Sequence, residues 1–220
     1  MPGGWPRYDL YVITDPGLAR GRSHLEIARA ALEGGADAVQ LRDKSSPAIN
    51  LCRWASEIQP LARKFGAAFF VNDRVDVALV CGSDGAHVGQ DDLPAREARR
   101  LLPRPALLGV SAGTPEEARR AQKDGADYVG VGPIFATGTK SDAGPPLGAE
   151  GLAAIARSVS IPVVAIGGIT AGNVAEVFAA GAAGAAVVSA VATADDMTAA
   201  TRALRRRINE IRETRPGGGR

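Results

Sequence analysis

The stretch KDGADYVGVG, residues 123–132, carries the pattern that decides the fold of this chain. A Lys-Asp-Gly turn ends a helix-like segment, and the run YVGVG that follows is apolar without alternation. Continuous apolar runs are typical of parallel strands that are buried on both faces. Related stretches occur as GGADAV at 34–39, SDGAHV at 83–88 and GAAGAAVV at 181–188. The recurrence predicts one helix-to-strand unit that is repeated along the chain.

Eight candidate strands are spread along the chain, with helix-like segments between them. They occupy residues 9–14, 38–41, 68–72, 85–89, 106–111, 128–132, 162–167 and 185–190. Several helical segments start at Ser or Thr ahead of Pro or acidic residues and end in Gly, as helix caps do. The four related stretches precede strands two, four, six and eight, which indicates a pairwise repeat. The pattern predicts a single-domain (β/α)8 TIM barrel, and the alternative is an open doubly wound sheet.

Length and composition agree with one globular domain. A chain of 220 residues suits an α/β barrel, and a content of 45% hydrophobic and 23% charged residues is ordinary for a globular protein. Aromatic residues make up only 5%, so we expect a core of Ala, Val, Ile and Leu. The 26 basic residues nearly balance the 24 acidic ones, which argues against a nucleic-acid partner.

Targeting signals and cysteine pairs are not evident in the sequence. No apolar run approaches the roughly 20 residues that span a bilayer, and the N-terminus lacks a signal-peptide pattern, so we expect no membrane partner. Cys52 and Cys81 have no metal-like spacing, which favours free thiols and a cytoplasmic location. We expect flexible tails at 1–7 and 214–220 around a barrel at 8–213. A homo-oligomer is compatible with all of this.

Polar residues follow the strands at the ends where TIM barrels carry their chemistry. These ends hold Gln40, Leu41, Arg42, Asp43 and Lys44 after strand two, Asn72 and Asp73 after strand three, Asp92 after strand four, Ser111 at the end of strand five, and Ser189 on strand eight. One rim would gather Arg42, Lys44 and Lys140 with Asp73 and Asp92. Mg²⁺ prefers one or two carboxylates together with phosphate oxygens, and cations neutralise the remaining phosphate charge. This group predicts a metal-bridged polyphosphate site.

Simpler roles exist for the charged members of this group. Asp73 and Asp92 could each cap the helix that follows, or Asp73 could form a surface ion pair with Arg74. Arg42 and Lys44 could be solvated loop charges, although their position directly after a buried strand argues against it.

The two histidines and the C-terminal arginines have structural interpretations. His87 lies inside an apolar strand and fits a hydrogen-bonded core histidine, and His24 stands at a helix start, where we expect a structural role. The arginines of RALRRRINEIR, residues 202–212, fit a solvated helix face.

A second anionic site is indicated after strands seven and eight. Gly167 and Gly168 follow strand seven, and Val188 and Ser189 lie on strand eight in this interpretation. Loops at these positions often bind phosphate through backbone N–H groups, and glycine allows a close approach. The alternative is a tight turn between strand and helix. Two anionic sites predict two phosphorylated small-molecule substrates that are joined with loss of pyrophosphate.

The motifs at these positions resemble those of the thiamine phosphate synthase family, with family-like spacing across nearly the whole barrel. The matching pieces are YVITD (11–15), VQLRDK (39–44), VNDR (71–74), DGAHVGQDD (84–92), GVS (109–111), GADYVGVGPIFATGTK (125–140), VVAIGGI (163–169) and VVSAV (187–191). The resemblance implies a TIM barrel and a transferase of thiamine biosynthesis. This enzyme would join hydroxymethylpyrimidine diphosphate to hydroxyethylthiazole phosphate, giving thiamine phosphate and pyrophosphate.

The resemblance also implies roles for individual residues. The pyrimidine diphosphate would be bound by Gln40, Leu41, Arg42, Asp43, Lys44, Asn72, Ser111 and Lys140, among which Arg42, Lys44, Ser111 and Lys140 would be catalytic. The thiazole phosphate would be bound by Thr137, Gly138, Thr139, Gly168, Val188 and Ser189. One Mg²⁺ per subunit would be held by Asp73 and Asp92. Asp43 stands where the family often has Glu, and the loop after Ser111 lacks a histidine that many relatives have.

The implied mechanism is dissociative. The pyrimidine amino group supports departure of pyrophosphate, and the thiazole nitrogen attacks the resulting carbocation, so that no side-chain nucleophile is needed. The stretch GPIFATGTKSDAGPP, residues 132–146, would act as a lid with flexible points at Gly138 and Gly144. Closure would bring Lys140 onto the pyrophosphate, whereas the alternative is a disordered surface loop.

Two other functions compete with this one. A thiazole tautomerase on the same barrel tends to lack the counterparts of Asp73, Asp92 and Lys140 and uses a histidine after strand five, so it fits less well. A non-catalytic phosphate-binding sensor would not need every charged residue of the rim.

Overall fold

The computed structural model of the protein describes residues 8–139 and 144–214. Its strands are β1 (Leu10–Thr14), β2 (Ala38–Leu41), β3 (Ala68–Asn72), β4 (Gly85–Val88), β5 (Leu107–Ala112), β6 (Tyr128–Val131), β7 (Val163–Ile166) and β8 (Gly184–Val187). Each strand pairs in parallel with the next in chain order, and β8 pairs with β1 to close the barrel. The predicted (β/α)8 TIM barrel is confirmed, and the open sheet is excluded.

Helices connect the strands on the outside of the barrel. They are α1 (His24–Glu33), α2 (Ala48–Lys64), α3 (Val75–Cys81), α4 (Ala95–Leu101), α5 (Pro115–Lys123), α6 (Gly148–Ser158), α7 (Val174–Ala179), α8 (Ser189–Ala192) and α9 (Met197–Glu213). The short helices α3 and α8 were not predicted. The placement of Ser189 on strand eight was wrong, because β8 ends at Val187 and the chain turns at Val188 to begin α8.

The predicted pairwise repeat corresponds to a recurring turn that precedes each even-numbered strand. A glycine with positive φ ends the preceding helix in all four units: Gly35 (93°), Gly82 (62°), Gly125 (101°) and Gly181 (100°). Two residues later an aspartate carboxylate accepts a hydrogen bond from the backbone N–H of the neighbouring odd-numbered strand. These bonds are Leu10 to Asp37, Phe69 to Asp84 and Leu108 to Asp127, each 2.8 Å long. In the fourth unit Ala183 takes the aspartate position.

Arginines surround two of these aspartates. Asp127 contacts Arg104 at 2.6 Å and Arg99 at 3.3 Å, and Asp37 contacts Arg205 of α9. The carboxylates lie at the amino ends of the strands, so they join neighbouring strands and anchor helices at the end of the barrel opposite the predicted rim. Residues at the amino ends of TIM-barrel strands usually contribute to stability rather than to catalysis.

The core has two layers of different composition. The layer between strands and helices is made mostly of Ala, Val, Ile and Leu, as predicted. The barrel interior holds aromatic rings, which the composition did not predict: Phe70 lies 5.2 Å from Tyr11 and 5.9 Å from Tyr128 between ring centroids. The three rings pack together in the barrel interior, beneath the carboxyl ends of the strands.

The ends of the chain and the cysteines complete the comparison with the sequence. Residues 1–7 and 215–220, where we predicted tails, lie outside the described residues, and α9 continues to Glu213. Cys52 and Cys81 are free thiols. Within 8–139 and 144–214, no helix combines the length and apolarity needed to cross a bilayer.

Candidate active site at the barrel mouth

A cavity of about 290 Å³ opens at the carboxyl ends of the strands. The structure brings together most of the predicted site residues in its walls: Gln40, Arg42, Lys44, Asn72, Asp73, Asp92, Ser111, Thr137, Thr139, Gly168, Val188 and Ser189. These residues come from segments far apart in sequence, and they meet because parallel strands of a closed barrel all end on the same face.

Three predicted residues that the structure describes are not among those lining the cavity. Leu41 is fully buried in the outer core, because its side chain points away from the barrel interior. Asp43 turns toward Ser45 and Ser46 instead of the cavity. Gly138 is not among the lining residues, and Lys140 lies outside the described part of the chain.

Two cationic side chains enter the cavity from the loop after β2. The Arg42 guanidinium donates a hydrogen bond to the Asp15 carboxylate, with 2.8 Å between Nη1 and Oδ2. The Lys44 ammonium lies 3.7 Å from the Asp73 carboxylate and is about half exposed. Asp15 thus orients Arg42, while Lys44 keeps most of its donors for other partners.

Asp73 and Asp92 face the same cavity from the ends of β3 and β4. Asp73 has φ of 60°, an unusual value for a non-glycine residue, and its backbone N–H donates to the His87 carbonyl at 2.7 Å. The Asp92 carboxylate accepts a hydrogen bond from the Gly89 backbone at 2.8 Å. Neither carboxylate caps a helix, since Arg74 and Pro94 occupy the N-cap positions of α3 and α4. The simpler capping role is therefore excluded for both aspartates.

The two carboxylates interact with each other. Burial and the neighbouring Asp92 raise the pKa of Asp73 to about 7, against the opposing effect of Lys44 and Arg42. Two carboxylates that disfavour each other's ionisation are stabilised by a cation between them. The described residues contain no group of three or more His, Cys, Asp or Glu side chains that could hold a metal. A site with two carboxylates fits Mg²⁺, which takes its remaining ligands from water and phosphate.

A chain of hydrogen bonds crosses the floor of the cavity. The Gln40 amide donates to the Tyr11 hydroxyl at 2.9 Å, and this hydroxyl lies 3.3 Å from that of Tyr128. The Tyr128 hydroxyl lies 3.1 Å from Nδ1 of His87, whose Nε2 lies 3.0 Å from the Ser111 hydroxyl. The floor therefore links two predicted substrate contacts, one on β2 and one on β5.

The floor is electrically neutral at physiological pH. Burial lowers the pKa of His87 to about 4, although Asp92 opposes the shift, and burial raises the pKa values of Tyr11 and Tyr128 above their ordinary range. His87 is hydrogen-bonded, as we predicted, but it lines the cavity rather than the outer core.

Glycines inside two strands were the signal that we missed. A Cβ on Gly130 would lie 2.8 Å from the His87 ring, and one on Gly109 would lie 2.1 Å from the Tyr128 ring. Glycine within a strand often marks such a close approach. Gly109 in GVS and Gly130 in YVGV therefore indicated large side chains on neighbouring strands, here His87 and Tyr128.

The far wall of the cavity joins the turn after β7 to the segment after β6. Gly167 and Gly168 have φ of 99° and 64°. A Cβ on Gly168 would lie 2.6 Å from the carbonyl oxygen of Ala136, so the close approach that requires glycine is made by protein backbone. The Phe135 N–H donates to the Gly167 carbonyl at 3.0 Å. This contact places the start of the predicted lid against the predicted phosphate turn.

The family model described as thiamine monophosphate synthase matches residues 10–191. The thiamine-phosphate synthase of Methanoregula boonei is 57% identical over 207 residues, which cover 94% of this chain and 96% of that protein. The thiamine-phosphate synthase of Methanocella arvoryzae is 55% identical over 206 residues, which cover 94% of this chain and 97% of that protein.

A solved structure agrees with these sequence relatives. Thiamine phosphate pyrophosphorylase from Pyrococcus furiosus superimposes with a TM-score of 0.86 at 44% identity, covering 93% of this chain and 97% of that one. The chain belongs to the thiamine monophosphate synthase family.

Proposed function

We propose that the cavity joins hydroxymethylpyrimidine diphosphate to hydroxyethylthiazole phosphate and releases pyrophosphate, with the residues of the mouth in the roles given below. Membership of the family makes the protein a transferase of thiamine biosynthesis that acts on phosphorylated small molecules. One observation carries the residue assignment: Arg42, Lys44, Asp73 and Asp92 line one cavity above a neutral floor. Such an arrangement suits a metal-bound diphosphate attached to an uncharged ring.

The basic wall would bind the diphosphate. Arg42 presents a planar guanidinium that Asp15 already orients, and Lys44 adds a flexible point charge. Both charges would stabilise the negative charge that grows on the departing pyrophosphate. The family resemblance assigns Lys140 to the same task.

Asp73 and Asp92 would hold one Mg²⁺ per subunit. A magnesium ion supplies charge neutralisation for the pyrophosphate leaving group. The raised pKa of Asp73 supports this assignment, because burial and the neighbouring Asp92 carboxylate both disfavour its ionisation, which a bound cation would favour. Lys44 at 3.7 Å compensates Asp73 only in part.

The floor network would give Ser111 a defined role. The Gln40 amide nitrogen can only donate, so the Tyr11 hydroxyl accepts there, and its own hydrogen would point to Tyr128. In this direction Tyr128 would donate to Nδ1 of His87, and the Nε2–H of His87 would donate to Ser111. The Ser111 hydroxyl hydrogen is left to point into the cavity, where it would bond a substrate oxygen or ring nitrogen.

The bond changes need no protein nucleophile. The bond between the exocyclic carbon and the pyrophosphate oxygen breaks, and its electron pair leaves with the pyrophosphate. The thiazole nitrogen then donates its lone pair to that carbon. The neutral floor supports this sequence, because a cationic group beneath the pyrimidine would oppose the carbocation.

The far wall would bind the thiazole phosphate. Thr137 and Thr139, which line the cavity, would supply hydroxyl groups, and the backbone near Gly168 and Ser189 would supply N–H groups. This wall lies opposite the basic wall, so the two phosphorylated groups would occupy separate ends of the cavity with the reacting atoms between them.

A single domain over 8–213, a cytoplasmic location and a homo-oligomer stay predictions.

The deciding experiment measures pyrophosphate and thiamine phosphate together after the protein is incubated with both substrates and magnesium. We expect equal amounts of the two products. A chemical change in the thiazole compound without release of pyrophosphate would favour a tautomerase or isomerase, and binding without turnover would favour a sensor; either outcome refutes the proposal. Asp92→Asn should reduce turnover, whereas Asp91→Asn, an adjacent exposed carboxylate outside the cavity wall, should not.

A further inference from the structure

The loop after β2 carries charges of alternating sign, and only its cations face the cavity. Arg42 and Lys44 line the cavity, while the carboxylate between them is held elsewhere. Oδ1 of Asp43 accepts from the backbone N–H groups of Ser45 and Ser46 at 2.8 and 2.9 Å and from the Ser45 hydroxyl at 3.0 Å. Its Oδ2 accepts from the Ser46 hydroxyl at 2.9 Å. The negative charge of the loop is thereby kept away from the anion-binding face.

A buried histidine lies behind this carboxylate. His24 is the first residue of α1 and only 1% exposed. Its Nδ1 lies 2.7 Å from the Thr14 hydroxyl, and its Nε2 lies 3.5 Å from Oδ2 of Asp43. The ring packs against Trp54 of α2 with 4.6 Å between ring centroids. His24 thus contacts the end of β1, the loop after β2 and the helix that follows the loop.

In the contact between His24 and Asp43, the histidine acts as the donor and the carboxylate as the acceptor. Nε2 of His24 is buried without an ordinary hydrogen-bond partner among the described residues, and the nearest acceptor is the Asp43 carboxylate. A buried donor that lacks a partner is costly, so the ring favours an arrangement in which that carboxylate stays close. Burial opposes the ionisation of Asp43, but the bonds from Ser45 and Ser46 hold its pKa well below the usual range. When the Thr14 hydroxyl donates its one hydrogen to Nδ1, the hydrogen of the neutral His24 ring lies on Nε2 and points at the ionised Asp43 carboxylate.

Thr14 extends the link to one of the cations. Its hydroxyl oxygen lies 2.7 Å from Nδ1 of His24 and 3.2 Å from the Gln40 carbonyl oxygen, and it accepts a hydrogen bond from the Arg42 backbone N–H at 3.4 Å. The backbone on both sides of Leu41 therefore contacts Thr14. His24 and Thr14 together support the loop at two points, one before and one after Arg42.

We propose that His24 is a positioning residue for diphosphate binding, which it serves by holding Asp43 away from the cavity. An aspartate released into the cavity would neutralise Arg42 or Lys44 and repel the diphosphate, since opposite charges within a few ångströms pair strongly. The inference rests on the proposed function, because it assigns the anion bound by this loop as the diphosphate. It gives a role to a histidine to which the sequence assigned only a structural place.

Two conservative variants of His24 separate positioning from simple stability. His24→Asn keeps a polar atom near Nδ1 for Thr14 but cannot reach Asp43, whereas His24→Gln can reach Asp43 with its longer side chain. We expect His24→Asn to raise KM for the pyrimidine diphosphate about tenfold and to leave KM for the thiazole phosphate unchanged. His24→Gln should recover most of the affinity. Ser23→Ala, which removes the N-cap of α1 one residue earlier, is the matched control and should change neither KM.

A double variant tests the partner. Asp43→Ala removes the carboxylate that His24 is proposed to hold, so adding His24→Asn to Asp43→Ala should weaken diphosphate binding no further. The inference is overturned if the two substitutions act independently, if His24→Gln and His24→Asn behave alike, or if both KM values rise together.

Calorimetric binding of inorganic pyrophosphate with magnesium separates this inference from the proposed reaction. We expect the same order of affinities, with the wild type and His24→Gln above His24→Asn. That order in a protein that releases no pyrophosphate during turnover assays would refute the reaction and sustain the role of His24. Equal affinities in a protein with full turnover would refute the role of His24 and sustain the reaction.

Discussion

Removal of magnesium should make the stability of the protein fall as the pH rises. Burial and Asp92 raise the pKa of Asp73 from 3.8 to about 7. A folded-state pKa above the unfolded value means that the folded protein holds the proton more tightly. The stabilisation is then complete below the unfolded pKa of 3.8 and is lost as the pH rises through about 7. About 3 pKa units at about 1.4 kcal/mol each set an upper limit of roughly 4 kcal/mol on the loss.

Thermal unfolding followed by circular dichroism gives the measurement. In the presence of a chelator, Tm should fall by up to about 10 °C between about pH 5 and about pH 8 for a chain of this length. Millimolar magnesium should remove most of this fall, because the cation replaces the proton. Asp73→Asn is the matched variant: asparagine tolerates the φ of 60° at this position and carries no charge, so its Tm should not follow this pH dependence.

A second carboxylate provides the control. Asp76 is exposed and paired with Arg74, so Asp76→Asn should keep the pH dependence of the wild type. The reasoning would be refuted if the metal-free wild type showed no fall in Tm over this range. It would also be refuted if Asp73→Asn showed the same slope, or if magnesium left Tm at about pH 8 unchanged.

Three further predictions concern other parts of the barrel. Asp127→Ala removes the acceptor for the Leu108 N–H and should lower the free energy of unfolding in urea by about 3 kcal/mol with unchanged kcat, so a smaller kcat would contradict a purely structural role. Tyr128→Phe interrupts the floor network and should lower kcat about tenfold, less than Ser111→Ala at about a hundredfold; the reverse order would contradict the relay. Gly168→Ala should raise KM for the thiazole phosphate more than KM for the diphosphate, measured by steady-state kinetics, because its Cβ meets the Ala136 carbonyl.

The strands were easier to predict than two of the helices. Each strand is a short apolar run, and every strand except β8 is followed by a charged or glycine-containing turn. Helix α3 has the sequence VDVALVC, in which β-branched residues conceal the helical preference and seven residues are too few to show a period. Helix α8 has only four residues and continues an apolar strand without a polar break, so the boundary at Val187 was not visible.

The charged rim was predictable because it depends on topology. Once the chain forms a parallel barrel, the residues that follow each strand share one face, and Arg42, Lys44, Asp73 and Asp92 meet there. The direction of each side chain was not predictable, since a loop residue faces whichever neighbour supplies its partners. Asp43, between two cavity-lining cations, turns to two serines and a histidine.

The sequence by itself determined the barrel, its repeated helix-to-strand unit, and the set of charges at its mouth, because local patterns and strand order are enough for these. Only the tertiary structure decided the neutral floor and the support behind the diphosphate loop. Tyr11 and Tyr128 are 117 residues apart in the chain, yet their hydroxyl groups lie 3.3 Å apart. Contacts of this kind arise from closure of the barrel, which places distant strands opposite each other and thereby chooses the partner of every buried polar group.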